Sequence, residues 1–151
     1  MVEYELGTDG PAAIVVGVDG SDTSLRAAAY AAGVARRQGI PLIGVYARRS
    51  NAGLAALADQ TGAGITAAYE AQDEIEASLR EAFAEQSERW GVDARLVVRA
   101  GEPFAVLRDV ARDVRADSVV VGSSASIGHR IAGSLAVRLV RHGRWPVTVV
   151  P

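Results

Sequence analysis

Five short apolar segments alternate with four helical patterns along this chain of 151 residues. The apolar segments span 13–18, 41–46, 94–99, 118–121 and 146–150. Most are nearly continuous apolar runs, which is typical of strands buried on both faces. A helix between two such strands forms a right-handed crossover that makes the strands parallel. The alternation therefore predicts an α/β fold, with an open five-stranded parallel sheet and helices on both faces.

The segments between the strands carry apolar residues at helical spacing. They predict helices over about 22–38, 66–90, 103–114 and 134–142. The expected inward-facing residues include Leu25 on the first helix, Trp90 on the second and Val140 on the fourth.

We expect one domain over residues 1–151. Residues 1–11 form a loose N-terminal tail in this interpretation, without the basic and apolar regions of a signal peptide. Residues 48–64 show no period and contain three glycines. They are interpreted as a mobile excursion.

The composition excludes several kinds of chemistry. The chain has no cysteine, and its 16 basic residues are all arginine. Disulfides, zinc ribbons and thiol chemistry are therefore absent, as is the lysine of a P-loop. No apolar run is long enough to span a bilayer, so no membrane partner is expected. The absence of cysteine and of a signal peptide favours the cytoplasm.

Nucleic acid and protein-bound metal are also unexpected. The net charge is −2, and the arginines near Trp145 form only a sparse basic cluster. His129 and His142 are 13 residues apart, which does not suggest a metal site made by side chains. A magnesium ion that accompanies a nucleotide is compatible with this composition.

Residues 117–136 combine a strand, a loop rich in glycine and serine, and a helix start at Gly133 and Ser134. Exposed N–H groups and the positive end of a helix dipole converge in such an arrangement, which commonly binds phosphate. The alternative is a flexible loop without a ligand. Arg130, within the loop, is either a bidentate phosphate contact or an ordinary surface arginine.

Asp19 follows the first predicted strand directly. A carboxylate there is suited to accept hydrogen bonds from ribose hydroxyls, as in dinucleotide folds. An Asx turn that leads into the first helix is the alternative, and the two roles are compatible. The sequence 122–126 differs from the Gly-x-Ser-x-Gly pattern of a nucleophile elbow, so a hydrolase is not favoured.

Four motifs resemble the universal stress protein family. They are Val-Gly-Val-Asp-Gly-Ser at 16–21, Gly-Glu-Pro at 101–103, Ala-Asp-Ser-Val-Val-Val-Gly at 116–122, and Gly-Ser-Leu at 133–135 with Trp-Pro-Val-Thr-Val-Val at 145–150. The resemblance implies a Rossmann-like sheet with strand order 3-2-1-4-5. It also implies a homodimer paired through the last strand, formed by Val147, Thr148, Val149 and Val150.

Many members of that family bind ATP through a loop of the form Gly-x-x-Gly, nine residues, then Gly-Ser or Gly-Thr. Here Gly122 matches the first glycine and Ala125 replaces the second. Only seven residues, instead of nine, separate Ala125 from Gly133. Gly128 could supply the flexibility that Ala125 lacks. The shorter loop predicts a nucleotide with fewer phosphates than ATP.

By resemblance, Asp19 contacts ribose, the Val45 backbone contacts adenine, and the loop ends contact phosphate. The complete predicted nucleotide site consists of Val18, Asp19, Val45, Val121, Gly122, Ser123, Gly128, Arg130, Gly133, Ser134 and Leu135. The prediction is a stress-response protein that binds ATP, ADP, AMP or cyclic AMP as a regulatory ligand. No catalytic residue is expected, although weak ATP hydrolysis is compatible with such a site. The alternative, favoured by Ala125 and the short loop, is a dimeric interaction protein that binds no nucleotide.

Overall fold

A computed structural model describes residues 12–50, 63–123 and 134–151 of the chain. Its strands are β1 (Ala13–Gly17), β2 (Leu42–Arg48), β3 (Ala94–Ala100), β4 (Ala116–Gly122) and β5 (Val147–Val150). Its helices are α1 (Asp22–Gln38), α2 (Ala63–Trp90), α3 (Pro103–Asp113) and α4 (Ser134–His142). All strand pairs are parallel, and the order is β3-β2-β1-β4-β5. The predicted fold class and strand order are confirmed.

Each face of the sheet has its own apolar core. Ile14 and Val16 of β1 pack with residues of α1 and α2 on one face. Val15 of β1 packs with residues of α3 and α4 on the other face. Because alternate residues of a strand point to opposite faces, the residues of β1 that face either side of the sheet must be apolar. This explains the continuous apolar run in the sequence.

The start and end of α1 follow from local chemistry. The Ser21 side chain accepts a hydrogen bond from the Ser24 N–H and caps the helix. Gly39 adopts a left-handed conformation at the other end, and its N–H donates to carbonyls of the last turn. Arg36 and Arg37 lie in that turn, where positive charge is favourable.

Three large residues predicted to face inward are instead exposed. Leu25 is 42% exposed, Trp90 49% and Val140 60%. On α1 the buried positions belong to small residues such as Ala27 and Ala31, which let the helix approach the sheet closely. Leu25 is rotated away from that stripe, and Val140 lies one position past the buried Leu139. Trp90 shares the helical face of Leu79 and Phe83 but is the last residue of α2.

Two boundaries around the predicted excursion also differ from expectation. Strand β2 continues through Arg48, because Arg48 pairs with Ala100 of β3. Helix α2 begins at Ala63, three residues before the predicted start. Residues 51–62, like the predicted tail 1–11, lie outside the described residues. Among the described helices, none combines the length and the apolar character needed to cross a bilayer.

Candidate functional site

A cleft of about 700 Å³ opens at the carboxyl ends of the strands, beside β1 and β4. This is the point where the chain, after extending the sheet through β2 and β3, returns to the other side of β1. Ligands of open α/β sheets bind at such switch points. The residues that line the cleft are Gly17, Val18, Asp19, Ser21, Thr23, Ser24, Val45, Ala47, Pro103, Leu107, Val121, Gly122, Ser123, Ser134, Leu135 and Ala136.

Asp19 occupies the turn that joins β1 to α1. Its Oδ1 accepts a hydrogen bond of 2.9 Å from the Ser21 N–H, which is the predicted Asx turn. Partial burial raises the pKa of Asp19, but the hydrogen bonds with Ser21 and Ser24 together lower it by more than burial raises it. The net pKa lies below the ordinary value, so the cleft holds a carboxylate at neutral pH.

The end of β4 lies directly against the first turn of α1. A Cβ atom on Gly122 would be 2.7 Å from the Thr23 carbonyl carbon and oxygen and 2.9 Å from the Ser24 nitrogen. These are backbone atoms that cannot move without displacing the helix. Gly122 therefore has a structural role that is independent of any phosphate contact, because only glycine allows this approach.

The backbone of β2 opens toward the cleft beyond the end of β1. The last strand pair is Gly17 with Val45, and the Val18 N–H then donates to the Val45 carbonyl at 2.9 Å. The Val45 carbonyl thus already has a partner within the sheet. Since backbone groups of alternate residues face the same neighbour, Ala47 is the next residue of β2 whose polar groups face that side.

The opposite wall comes from α3 and α4. Both Glu102 carboxylate oxygens cap α3, because they accept hydrogen bonds from the Phe104 and Ala105 N–H groups. Arg138 of α4 pairs with Glu102 at 2.6 Å and stacks over the Phe104 ring. Burial raises the pKa of Glu102, but the backbone hydrogen bonds and Arg138 bring it below its usual range. These contacts connect the start of α3 to α4.

Three of the described helices begin at this cleft. Ser21 at the start of α1, Pro103 of α3 and Ser134 of α4 all line it. Helix N-termini present partial positive charge and N–H groups without intrahelical partners. The side chain of Ser21 and the carboxylate of Glu102 occupy such groups on α1 and α3. The start of α4 lines the same cleft, and a helix start is suited to an anionic ligand.

The structure brings together predicted residues from distant parts of the sequence. Those that line the cleft are Val18, Asp19, Val45, Val121, Gly122, Ser123, Ser134 and Leu135. Gly128, Arg130 and Gly133 lie outside the described residues. No group of His, Asp or Glu side chains within 12–50, 63–123 and 134–151 is arranged to hold a metal ion.

Sequence reasoning missed part of the lining. Thr23 and Ser24 of α1, Ala47 of β2, and Pro103 and Leu107 of α3 were not predicted. A signal was present for α1 and α3, because the Asp-Gly-Ser and Gly-Glu-Pro turns both follow carboxyl ends of strands. The first turn after such a loop necessarily starts at the ligand-binding edge of the sheet.

An open parallel sheet with a ligand-sized cleft at its switch point defines a Rossmann-like α/β domain. The model of the universal stress protein family matches residues 12–151, and the chain belongs to that family.

Individual relatives agree with this assignment. A universal stress protein of Methanocaldococcus jannaschii is 27% identical over 91% of this chain and 80% of its own length. A family structure from Burkholderia pseudomallei is 27% identical, with a TM-score of 0.67, over 96% of this chain and 98% of the other. A universal stress protein solved in complex with cAMP is 26% identical, with a TM-score of 0.61, over 93% of this chain and 96% of the other.

Proposed function

We propose that this protein is a cytoplasmic regulatory protein of the stress response that binds an adenine nucleotide in the switch-point cleft. One observation carries the proposal: the charged Asp19 carboxylate and the start of α4 line the same cleft. One group suits ribose hydroxyls and the other suits phosphate. The relative solved with cAMP supports a nucleotide ligand of this chemistry.

The cleft has a suitable size and lining for the whole ligand. Its volume of about 700 Å³ lies within the ~300–1,000 Å³ typical of small-molecule sites. In our proposal the base lies against Val45 and Leu107, and the backbone of Ala47 supplies its hydrogen bonds. Val45 remains a predicted contact of the base. Its carbonyl already accepts a hydrogen bond from Val18, so its side chain is the better candidate for that contact.

The phosphate would lie between the end of β4 and the first turn of α4. Ser123 and Ser134 line this part of the cleft, and the N–H groups of a helix start are suited to phosphate oxygens. Gly128, Arg130 and Gly133 remain proposed contacts of the same group. We propose AMP or cyclic AMP as better ligands than ATP, because the connecting loop is short. Magnesium binds, in this proposal, only as a companion of the nucleotide.

Isothermal titration calorimetry with ATP, ADP, AMP and cyclic AMP, each with and without magnesium, tests the proposal. We expect micromolar binding, strongest for a ligand with one phosphate. Asp19→Asn keeps the shape and an oxygen for the Asx turn but removes the charge. It should weaken binding by roughly 10- to 100-fold, the usual value of a hydrogen bond to a charged group. Asp22→Asn, an exposed change in the first turn of α1, is the matched control.

A second function predicts the opposite calorimetric result. If folded wild-type protein shows no heat with any of the four nucleotides, the nucleotide proposal is wrong. The dimeric interaction protein is then the better interpretation. We propose the same homodimer in both cases, formed through Val147, Thr148, Val149 and Val150 of β5. We propose no catalytic residue, and product formation from ATP under the same conditions would contradict a purely regulatory role.

A further inference from the structure

Ser24 is a buried polar residue within the turn that carries Asp19. It is 5% exposed and lies in the first turn of α1. Its hydroxyl donates to the Ser21 carbonyl at 2.9 Å and accepts from the Asp19 N–H at 3.2 Å. Its own N–H donates to the Ser21 hydroxyl. One side chain therefore joins both ends of the turn to the helix.

The turn is restrained on its other sides as well. The Asp19 carboxylate accepts from the Ser21 N–H, which closes the turn from within. Gly20 has a φ of +83°, and a Cβ on it would be 3.2 Å from Ile75 of α2. Gly122 packs on the backbone of Ser24 from the β4 side. The position of the carboxylate thus depends on the bonds of Ser24 rather than on free rotation of an exposed loop.

We propose that Ser24 is a positioning residue that holds the Asp19 carboxylate where it can distinguish ribose from deoxyribose. The inference rests on the proposed nucleotide function and adds a determinant of its sugar specificity. Ser24 itself needs no contact with the nucleotide. A charged hydrogen bond is weakened strongly when its donor–acceptor distance is wrong by a fraction of an ångström or when its angle is poor.

The electrostatics of Asp19 support the same assignment. Burial raises the pKa of Asp19, but hydrogen bonding with Ser21 and, to a smaller extent, with Ser24 brings it below the ordinary value. Because the pKa is lowered, these bonds stabilise the folded protein at pH values above the ordinary carboxyl pKa. That stabilisation is lost as the pH falls through the lower pKa of the folded state. Removal of the Ser24 hydroxyl should therefore move the Asp19 titration upward, toward its ordinary value.

The test compares the affinities of AMP, 2′-deoxy-AMP and 3′-deoxy-AMP by calorimetry. We expect the wild type to prefer AMP over at least one deoxy analogue by about tenfold, and Asp19→Asn to lose that preference. Ser24→Ala should reduce the preference to about twofold or less, although it retains Asp19. Ala27→Gly is the control, because it destabilises α1 by a comparable amount through helix propensity and forms no part of the cleft. It should retain the wild-type preference.

The outcomes separate the two proposals. No binding by the wild type contradicts the proposed function. If Asp19→Asn loses sugar preference and Ser24→Ala keeps it, the role of Ser24 is wrong. Should Ser24→Ala fail to fold, Ser24→Cys retains the size with a weaker hydrogen-bonding group and replaces it. In addition, ¹³C NMR titration of the Asp19 carboxyl in free protein should show a raised midpoint in the Ser24 variant, and an unchanged midpoint also contradicts the inference.

Discussion

The two edge strands of the sheet differ in how their outer sides are protected. On β3, Arg95 and Arg99 are exposed and form ion pairs with Asp93 and Asp113. The Ser87 hydroxyl of α2 accepts from the Ala94 N–H at 3.0 Å and donates to the Ala94 carbonyl at 3.2 Å. Charge and a side-chain cap thus cover the first part of this edge. Such features discourage pairing with another chain.

Among the described residues, no such side-chain cap covers β5 itself, although Arg26 donates to the Pro151 carbonyl just beyond the strand at 3.3 Å. Its sequence, Val-Thr-Val-Val, contains no charge. The Pro146 carbonyl accepts from Val119 of β4, and the Val150 carbonyl accepts from Ser123 just beyond β4. The backbone groups of Val147 and Val149 therefore face the outer side. The difference indicates that one edge is closed to association while the other is suited to it, which supports the proposed homodimer.

Val149→Pro should disrupt the proposed dimer most strongly. Proline removes an N–H from the outer side of β5 and leaves the bonds to β4 intact. We expect the mass measured by light scattering to fall from that of a dimer to that of a monomer. Val149→Ala is the control, because it also loses packing but keeps the N–H, and it should remain dimeric. A dimeric Val149→Pro protein would show that another surface forms the interface.

Ser87→Ala should weaken the closed edge. It leaves both backbone groups of Ala94 without their side-chain partner, and the free energy of unfolding should fall by about 1 kcal/mol. Urea denaturation measures this change against Glu88→Ala, an exposed change on the same helix. Equal stabilities of the two variants would mean that water replaces Ser87 without cost.

Arg99→Val should have the smallest effect on stability. The pair with Asp113 is exposed, so its loss should change the free energy of unfolding by at most about 0.5 kcal/mol. Combined with Ser87→Ala, however, the substitution should permit association beyond a dimer at high concentration, visible in sedimentation velocity. A double variant that remains dimeric would show that the length and twist of β3 suffice to protect it.

Much of this fold is predictable because its signals are local. The cap at Ser21, the turn at Gly39 and the apolar run of β1 depend on neighbouring residues and the period of the chain. The same signals failed for Leu25 and Trp90. An apolar residue at helical spacing identifies a helix, but the packing of that helix on the sheet decides which apolar residue becomes buried.

The candidate site shows the same division. Asp19 and Gly122 could be selected from the sequence because each directly follows a predicted strand and leads into a predicted loop. Ser24 could not, since a serine after a helix cap resembles any other serine in a first turn. Its importance appears only when its hydroxyl is seen between Asp19 and Ser21, with Gly122 against its backbone.

By itself, the sequence determined the alternation of strands and helices, the parallel sheet, and the absence of thiol and lysine chemistry. These properties depend on residue type and on spacing within about 20 positions. The folded structure determines which side chains share the cleft and which edge strand is covered by the Ser87 side chain. Both depend on contacts between residues as distant as Ser24 and Gly122, and burial, hydrogen bonding and pKa are set by those contacts rather than by the residue alone.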